Sequence, residues 1–272
     1  MRKTPGLAML ILLIACSPTR VAMTNDHTLT YLPGPLVIDG NANDWKHTPF
    51  TLDPSTTLRY ALTNDSTNLY VCLTSTNPGL ERKIFEMGMK VYFDTSGERK
   101  EACGVQFPMP IDPNALQAIA AAGGNNPKTS AQEYRHFIRL QENQYETFGF
   151  PGRNGLNALG SQDVVSIGFS LDDEDIFIYE LKVPLASIYG DPVPKTAFSK
   201  ALDMGITIEG LPHSEDPNAP VASEIGQPGQ NMTGARYNMG KGGGFARNPY
   251  GYTNETMFKA QRAWIRFIMA TK

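Results

Sequence analysis

The chain has 272 residues, 41% of them hydrophobic and 19% charged. This apolar share can build one sizeable core, and β-sandwiches of this length often fold as a single domain. The 24 basic and 27 acidic residues nearly balance and form no basic stripe, which argues against nucleic acid as a partner.

The first 15 residues have the pattern of a secretory signal peptide. A short positive region precedes an apolar run over Gly6–Ala15, which is too short to span a bilayer. Positions 13–16 read Leu-Ile-Ala-Cys, which resembles the lipobox of bacterial lipoproteins at all four positions. The resemblance implies cleavage before Cys16 and acylation of that residue, which anchors the chain to a lipid bilayer. In such lipoproteins an aspartate after the cysteine often signals retention in the inner membrane, so with Ser17 at that position the resemblance implies the outer membrane of the bacterial cell envelope. An ordinary signal peptide with a chance cysteine is the alternative.

Residues 16–35 lack periodicity and predict a tether between membrane and domain. Beyond Cys16, the chain has two further thiols, Cys72 and Cys103. An oxidising compartment permits a disulfide between them, but Cys72 lies in an apolar strand, where buried unpaired cysteine is common. Whether the two cysteines pair stays open.

Three runs with strand character follow, at Leu58–Leu62, Asn68–Ser75 and Met89–Asp94, each rich in residues that favour strands. The short polar side chains of Asn64–Asn68 predict a hairpin turn between the first two runs. Apolar residues recur at helical spacing over Gly79–Gly88 and predict a short helix before the third run. These elements predict one half of a β-sheet structure.

Five sequence blocks occur in a characteristic order along the chain. They are Leu36–Trp45 with its Ile-Asp-Gly turn, Leu58–Leu62, Asn68–Val71, Met89–Gly97 and Tyr179–Leu185. Together they resemble family 9 carbohydrate-binding modules, which belong to a wider group of DOMON-like β-sandwiches. The resemblance implies an all-β fold with minor α insertions, an antiparallel β-sandwich of immunoglobulin or jelly-roll type over residues 36–272. It also implies a polysaccharide or glycan as ligand.

The second half of the chain combines strands with two long irregular stretches. Residues 111–162 contain two helix-prone segments and a loop-like segment at Gly149–Gly160, and predict an insertion over one end or edge of the sheets. Val164–Leu171 and Ile176–Val183 alternate clearly and predict a hairpin. Residues 211–252, rich in Gly, Pro and Asn, predict a flexible loop. Further strands are predicted at Cys103–Pro108, Met204–Glu209 and Ala263–Ala270.

The sequence shows no constellation typical of an enzyme, so the chain is predicted to be non-catalytic. Its four histidines lack zinc spacing, and nucleophile elbows and phosphate-binding loops are absent. The carboxylates Asp44, Glu101, Asp163 and Glu180 cannot be paired from sequence. Glu180 is expected to face solvent or a structural partner, because it alternates against the apolar residues of its strand.

Two acidic turns offer the hard oxygen ligands that calcium prefers. The candidate ligands are Asp94 and Glu98 in one turn and Asp172, Asp173 and Asp175 in the other. Modules of the resembled family often hold structural calcium, so the resemblance implies calcium as a cofactor. Solvated turns without a metal are the alternative.

Aromatic residues are the main candidates for sugar binding, because flat side chains can stack on pyranose rings. The resembled family clamps a sugar between two tryptophans, whereas the two tryptophans here, Trp45 and Trp264, are predicted to lie in the core. Tyr and Arg are enriched where protein surfaces bind. The predicted ligand-binding residues therefore lie on the Gly-rich loop and are Arg236, Tyr237, Phe245, Arg247, Tyr250 and Tyr252.

The leading hypothesis is a non-catalytic envelope lipoprotein that binds carbohydrate. The resemblance also leaves a haem-binding redox carrier open, because some DOMON-like sandwiches bind b-type haem through Met and Lys or His. The chain has eleven methionines, including Met87, Met89 and Met239, which keep this alternative open. A third hypothesis is a structural or assembly lipoprotein whose insertion and Gly-rich loop bind another envelope protein.

Overall fold

The computed structural model describes residues 27–112, 114–115, 143–161, 164–171, 176–211 and 254–272. In this part of the chain, thirteen strands form two sheets that pack face to face around a shared core. The predicted all-β sandwich is confirmed. Among these residues no helix is long and apolar enough to cross a membrane. Cys16 lies outside them.

In chain order the strands are β1 (His27–Thr28), β2 (Thr30–Tyr31), β3 (Thr51–Leu52), β4 (Arg59–Asn64), β5 (Asn68–Ser75), β6 (Met89–Asp94), β7 (Cys103–Gln106), β8 (Gln144–Phe148), β9 (Gly155–Ala158), β10 (Ser166–Leu171), β11 (Phe177–Pro184), β12 (Leu202–Ile208) and β13 (Gln261–Ile268). The α-helices are α1 (Pro78–Met87), α2 (Leu185–Tyr189) and α3 (Asn254–Phe258), and short 3-10 helices span Ala42–Trp45 and Lys195–Phe198. The seven-stranded sheet has the order β1-β13-β12-β6-β7-β8-β9. The six-stranded sheet has the order β10-β11-β5-β4-β2, with β3 also paired to β4.

Strand pairs are antiparallel except where the two N-terminal strands add to the sheets in parallel. β1 pairs with β13 and β2 pairs with β4, so residues 27–31 cross from one sheet to the other. Leu29 between them is buried, and its N–H donates to the carbonyl of Ile268. The predicted tether over 16–35 therefore includes residues that belong to the sandwich. Strands of two residues are too short to show periodicity in the sequence. They form because an existing sheet edge supplies their hydrogen-bond partners.

The last strand is joined to both sheets. β13 pairs with β12 and β1 in the seven-stranded sheet. From the other sheet, Asn64 Nδ2 donates to the carbonyl of Ala270 at 2.9 Å, and Asn64 Oδ1 accepts from its N–H at 2.8 Å. One amide side chain thus links positions 206 residues apart in the sequence.

The hairpin turn and the short helix predicted on either side of β5 are confirmed, and local side-chain hydrogen bonds hold both of them. Asp65 Oδ1 accepts from the backbone N–H groups of Thr67 and Asn68, both at 2.6 Å, which closes the β4–β5 hairpin. Asn77 caps α1 by accepting from two N–H groups of its first turn. The helix ends at Gly88, whose positive φ of 76° suits glycine.

Alternating residues of each strand face the core. On β5, Val71 and Leu73 lie between the sheets, whereas Tyr70 and Cys72 lie on the other face of the same strand. The alternation predicted for β10 and β11 is confirmed in the same way.

The two thiols are free and belong to different sheets, Cys103 to β7 of the seven-stranded sheet and Cys72 to β5 of the six-stranded sheet. Cys103 lies in the core between the sheets, and Cys72 lies on the outer side of β5. Burial raises the pKa of Cys103 to about 11 and also raises the pKa of Cys72. Both thiols therefore stay protonated at neutral pH and are weak nucleophiles.

Part of the predicted insertion forms regular structure. β8 and β9 extend the seven-stranded sheet beyond β7, so the prediction of a loop over Gly149–Gly160 is wrong for Gly155–Ala158. The composition of β9 favours strands only weakly, and it is the antiparallel pairing with β8 that holds β9 extended. Residues 116–142, which contain most of the predicted helical segments, lie outside the described residues.

Candidate ligand-binding face

The outer face of the six-stranded sheet is covered by the chain itself. Trp45 is 1% exposed, and it forms a second apolar cluster with Ala61, Tyr70, Cys72 and Ile178. Partly buried apolar residues from 32–50 complete this layer. The prediction that Trp45 is a core residue is confirmed, and the layer leaves this sheet face inaccessible to a ligand.

A buried carboxylate ties the covering layer to the sheet. Glu180 Oε1 accepts from Trp45 Nε1 at 2.6 Å. Its Oε2 accepts from the N–H groups of Asp39 at 2.9 Å and Gly40 at 2.7 Å. Burial raises the pKa of Glu180, and these hydrogen bonds partly oppose the shift. Glu180 therefore has the structural partner expected from the sequence.

The outer face of the seven-stranded sheet bears aromatic side chains separated by glycines. Strand register places five residues side by side across β13, β12, β6, β7 and β8. In that order this aromatic row consists of Trp264, Gly205, Tyr92, Gly104 and Phe148. Their neighbours in each strand face the core, so the row faces away from it. Trp264 and Phe148 are half-buried.

Gly205 allows two aromatic rings to meet across the strand between them. Tyr92 and Trp264 lie two strands apart, roughly 10 Å at ordinary strand spacing. Their ring centroids are nevertheless 5.1 Å apart with the planes inclined by 72°, a favourable edge-to-face arrangement. The Tyr92 ring leans over Gly205, where a Cβ atom would overlap it. Because Tyr92 is 1% exposed, Trp264 is the accessible member of the pair.

The prediction that Trp264 is a core residue is wrong. The closing strand alternates, and its buried positions are Ala263, Ile265 and Phe267. Trp264 has the same phase as Arg262 and Arg266, which places it on the outer face. This phase is visible in the sequence and is the signal that identifies Trp264 as a surface residue.

Polar side chains flank the aromatic row on both sides. On one side, Arg266 Nη1 lies 3.3 Å from Asp203 Oδ2, and Asp203 is paired in register with Asp94. On the other side, the register places in one line Arg262, Thr207, Lys90, Gln106 and Glu146. These groups include hydrogen-bond donors and acceptors, and both cationic and anionic side chains are among them. The face thus combines flat apolar surface with polar groups on two sides.

Asp94 is held by its own turn. Its carboxylate accepts from the N–H and Oγ of Ser96 at 2.8 and 2.6 Å and from the N–H of Lys100 at 3.1 Å. Burial acts to raise the pKa of Asp94, but these hydrogen bonds outweigh it and the pKa is lowered. Glu98 is exposed and paired with Lys100.

The calcium sites stay predictions. Among the described residues no group of three or more His, Cys, Asp or Glu side chains could hold a metal ion. The candidates of the second turn lie outside the described residues, namely Asp172, Asp173 and Asp175.

The ligand-binding residues predicted on the Gly-rich loop lie outside the described residues. They are Arg236, Tyr237, Phe245, Arg247, Tyr250 and Tyr252. The two ends of that loop continue from β12 and lead into β13, which are neighbouring strands of the face. The N–H of Leu211 donates to the carbonyl of Met257 at 2.9 Å, so the two ends are joined.

A buried lysine anchors the returning end of this loop. Lys83 Nζ donates to the carbonyls of Thr256 at 3.1 Å and Lys259 at 2.8 Å, and to Gln261 Oε1 at 2.8 Å. Burial lowers the pKa of Lys83 to about 8, with Glu209 acting in the opposite direction. Three acceptors match the three hydrogens of the ammonium group, so this lysine is a structural anchor.

Other residues named from the sequence lie elsewhere. Asp44 and Glu101 are exposed. Of the methionines named for the haem alternative, Met89 is fully buried in the core, Met87 is half-buried and Met239 lies outside the described residues.

Neither a family model nor a curated protein matches the chain. Two solved structures of a family 9 carbohydrate-binding module from Caldicellulosiruptor kristjanssonii, in complex with glucose and with cellotriose, are similar to it. The likeness covers 67% of this chain and 76% and 75% of those chains, at 12% identity and TM-scores of 0.33 and 0.32. So distant a likeness assigns neither family nor ligand, and the fold assignment rests on the two sheets themselves.

Proposed function

We propose that the chain is a non-catalytic, lipid-anchored carbohydrate-binding protein of the bacterial cell envelope, which holds glycan or polysaccharide on the outer face of its seven-stranded sheet. The observation that carries the proposal is the half-buried Trp264 at one end of the aromatic row, flanked by polar side chains. Among the described residues, the layer around Trp45 covers the outer face of the other sheet over β4, β5 and β11.

The chemistry of this face matches that of a sugar. A pyranose ring buries its C–H faces against a flat aromatic side chain, which gains apolar burial and dispersion. Its hydroxyl groups then need donors and acceptors, and Arg262, Arg266 and Gln106 lie on either side of the row. The tight contact between Trp264 and Tyr92 fixes the platform before a ligand arrives, which lowers the cost of binding.

The proposal is tested by a glycan array followed by titration calorimetry, with the full chain in detergent. Binding to neutral glycans is expected in the range of tens of micromolar or weaker, roughly −6 kcal/mol or less favourable. Trp264→Ala should weaken binding at least about tenfold, a loss of roughly 1.4 kcal/mol. Tyr31→Ala removes a half-buried aromatic from the other sheet and should leave affinity unchanged.

Two outcomes contradict the proposal in different ways. A glycan that binds Trp264→Ala as tightly as the unmodified chain places the site elsewhere, with the Gly-rich loop and the insertion as the next candidates. A chain that binds no glycan at all, while intact by circular dichroism, is not a carbohydrate-binding protein.

A further inference from the structure

We propose that a cleft at one end of the seven-stranded sheet is a second sugar subsite, specific for a pyranose that carries a carboxylate. This inference rests on the proposed carbohydrate binding and names a class of sugar, the uronic acids. The cleft has a volume of about 180 Å³ and is lined by Thr95, Tyr189, Thr196, Lys200 and Ala201.

The walls of the cleft come from segments that the fold holds in place. Thr95 follows the last residue of β6, and Lys200 and Ala201 immediately precede β12. Tyr189 is the last residue of α2, and Thr196 belongs to the 3-10 helix Lys195–Phe198. The N–H of Lys200 donates to the carbonyl of Thr196 at 3.0 Å, which fixes the two residues relative to each other.

The polar side chains of the cleft are unused. Among the described residues, the hydroxyl groups of Thr95, Thr196 and Tyr189 and the ammonium group of Lys200 have no hydrogen bond or ion pair. The lining contains one cation and no carboxylate. Three hydroxyl groups and one ammonium group thus remain available to a ligand, and the charge favours an anion.

The volume of the cleft restricts that anion to a small one. Pockets for drug-sized molecules measure roughly 300–1,000 Å³, so a cleft of about 180 Å³ accommodates a single sugar residue. Tyr189 is half-buried and offers a flat apolar surface together with a phenol. Burial raises the pKa of Tyr189 to about 12, with Cys103 acting in the same direction, so its hydroxyl stays a hydrogen-bond donor at neutral pH.

Lys200 is the residue that distinguishes an acidic sugar from a neutral one. With the ammonium group, a carboxylate forms a hydrogen bond between two opposite charges, whereas the hydroxymethyl group of glucose accepts only as an uncharged oxygen. Lys200 is exposed, so solvent screens the interaction. We expect a preference of roughly threefold to tenfold for the acidic sugar.

The experiment compares glucuronic acid, glucose and acetate by titration calorimetry with the full chain in detergent. Glucuronic acid and glucose differ at one ring substituent, and acetate supplies the carboxylate without the ring. Lys200→Gln removes the cation, and Lys195→Gln is the matched control, because Lys195 is an exposed lysine of the 3-10 helix that supplies Thr196 and does not line the cleft. Glucuronic acid should bind at least about threefold more tightly than glucose, and the preference should disappear in Lys200→Gln but persist in Lys195→Gln.

Three results overturn the inference. Equal affinity for glucuronic acid and glucose shows that the cleft does not select an acidic sugar, and an unchanged preference in Lys200→Gln shows that Lys200 does not select it. Acetate that binds as tightly as glucuronic acid makes the cleft a simple anion site. Each of these results leaves neutral glycan binding at Trp264 intact, so they are distinguishable from failure of the proposed function, in which no glycan of either kind binds.

Discussion

At the scale of single residues, the contact between Trp45 and Glu180 joins the covering layer to the six-stranded sheet. The indole N–H and the carboxylate are both buried, and burying either polar group without a hydrogen-bond partner would be costly. The hydrogen bond between them gives each group that partner. Trp264, by contrast, is half-buried and lies on the outer face of the other sheet. The two tryptophans should therefore respond differently to truncation.

Trp45→Ala is expected to lower the free energy of unfolding by about 3–5 kcal/mol, because it deletes a fully buried large aromatic side chain. Trp45→Phe keeps much of the apolar volume but loses the hydrogen bond to Glu180, so its effect should be smaller. Urea unfolding of both variants and of Trp264→Ala measures the order of their losses in the free energy of unfolding. Equal destabilisation by Trp264→Ala and Trp45→Ala would contradict this assignment.

Glu180 predicts a pH dependence with a definite sign. Burial raises its pKa in the folded protein above the ordinary value of 4.5. The folded state therefore binds the proton more tightly than the unfolded state, and this contribution to stability is present below pH 4.5 and lost as the pH rises through the folded-state pKa. The stability of the unmodified chain relative to Glu180→Gln should decrease from pH 4.5 to pH 7 in urea unfolding. A difference that grows over this range would contradict the sign.

At the scale of elements, α1 anchors the segment that leads into β13. Lys83→Met should lower the free energy of unfolding by about 2 kcal/mol, because it leaves two backbone carbonyls and one side-chain oxygen without their donor. Amide hydrogen exchange over residues 254–261 should accelerate more than exchange in β5. Lys90→Met, at a half-buried position on the outer face, is the control and should change stability by less than about 0.5 kcal/mol. Similar effects of both substitutions would show that Lys83 is not an anchor.

Elements with strong local signals could be predicted from the sequence. The turn at Asn64–Asn68 and the alternation of β10 and β11 depend on residues near each other in the chain. β1 and β2 could not be predicted, because two residues show no periodicity and only a distant sheet edge makes them strands.

The candidate site was harder to predict than the strands that form it. Its aromatic row comes from five strands that extend from β6 to β13 along the chain, and their register is set by tertiary packing. The phase of Trp264 was available from the alternation of the closing strand. The contact between Trp264 and Tyr92 could not be predicted from the sequence, because it requires β6 and β13 to lie on either side of β12.

At the scale of the whole molecule, the sheet faces have unequal roles. Two face the core, one is covered by residues 32–50, and the fourth carries the aromatic row. β1 lies at the edge of that same seven-stranded sheet, next to the strand that contains Trp264. In the proposed lipoprotein, the tether therefore enters the domain one strand away from the proposed binding face.

Lipid anchorage is tested by Cys16→Ser, which should leave an unprocessed precursor that does not incorporate labelled palmitate. In the proposed lipoprotein, the thiol at position 16 of the lipobox-like sequence would be the group that is acylated. Ser17→Ala is the matched control and should be processed and labelled normally. Normal processing and membrane retention of Cys16→Ser would show that the chain is not anchored in this way.

The contact between Asn64 and Ala270 has a consequence for how the chain is made. β1 and the side chain of Asn64 find their hydrogen-bond partners only in residues 261–270, so these links form during synthesis only after the last strand of the sandwich has been translated. Folds dominated by such long-range pairings form slowly, typically in milliseconds to seconds, and leave strand edges exposed while they wait. A chain that crosses a membrane must stay unfolded in transit. This topology delays folding by its own geometry, which would keep the proposed lipoprotein unfolded during export.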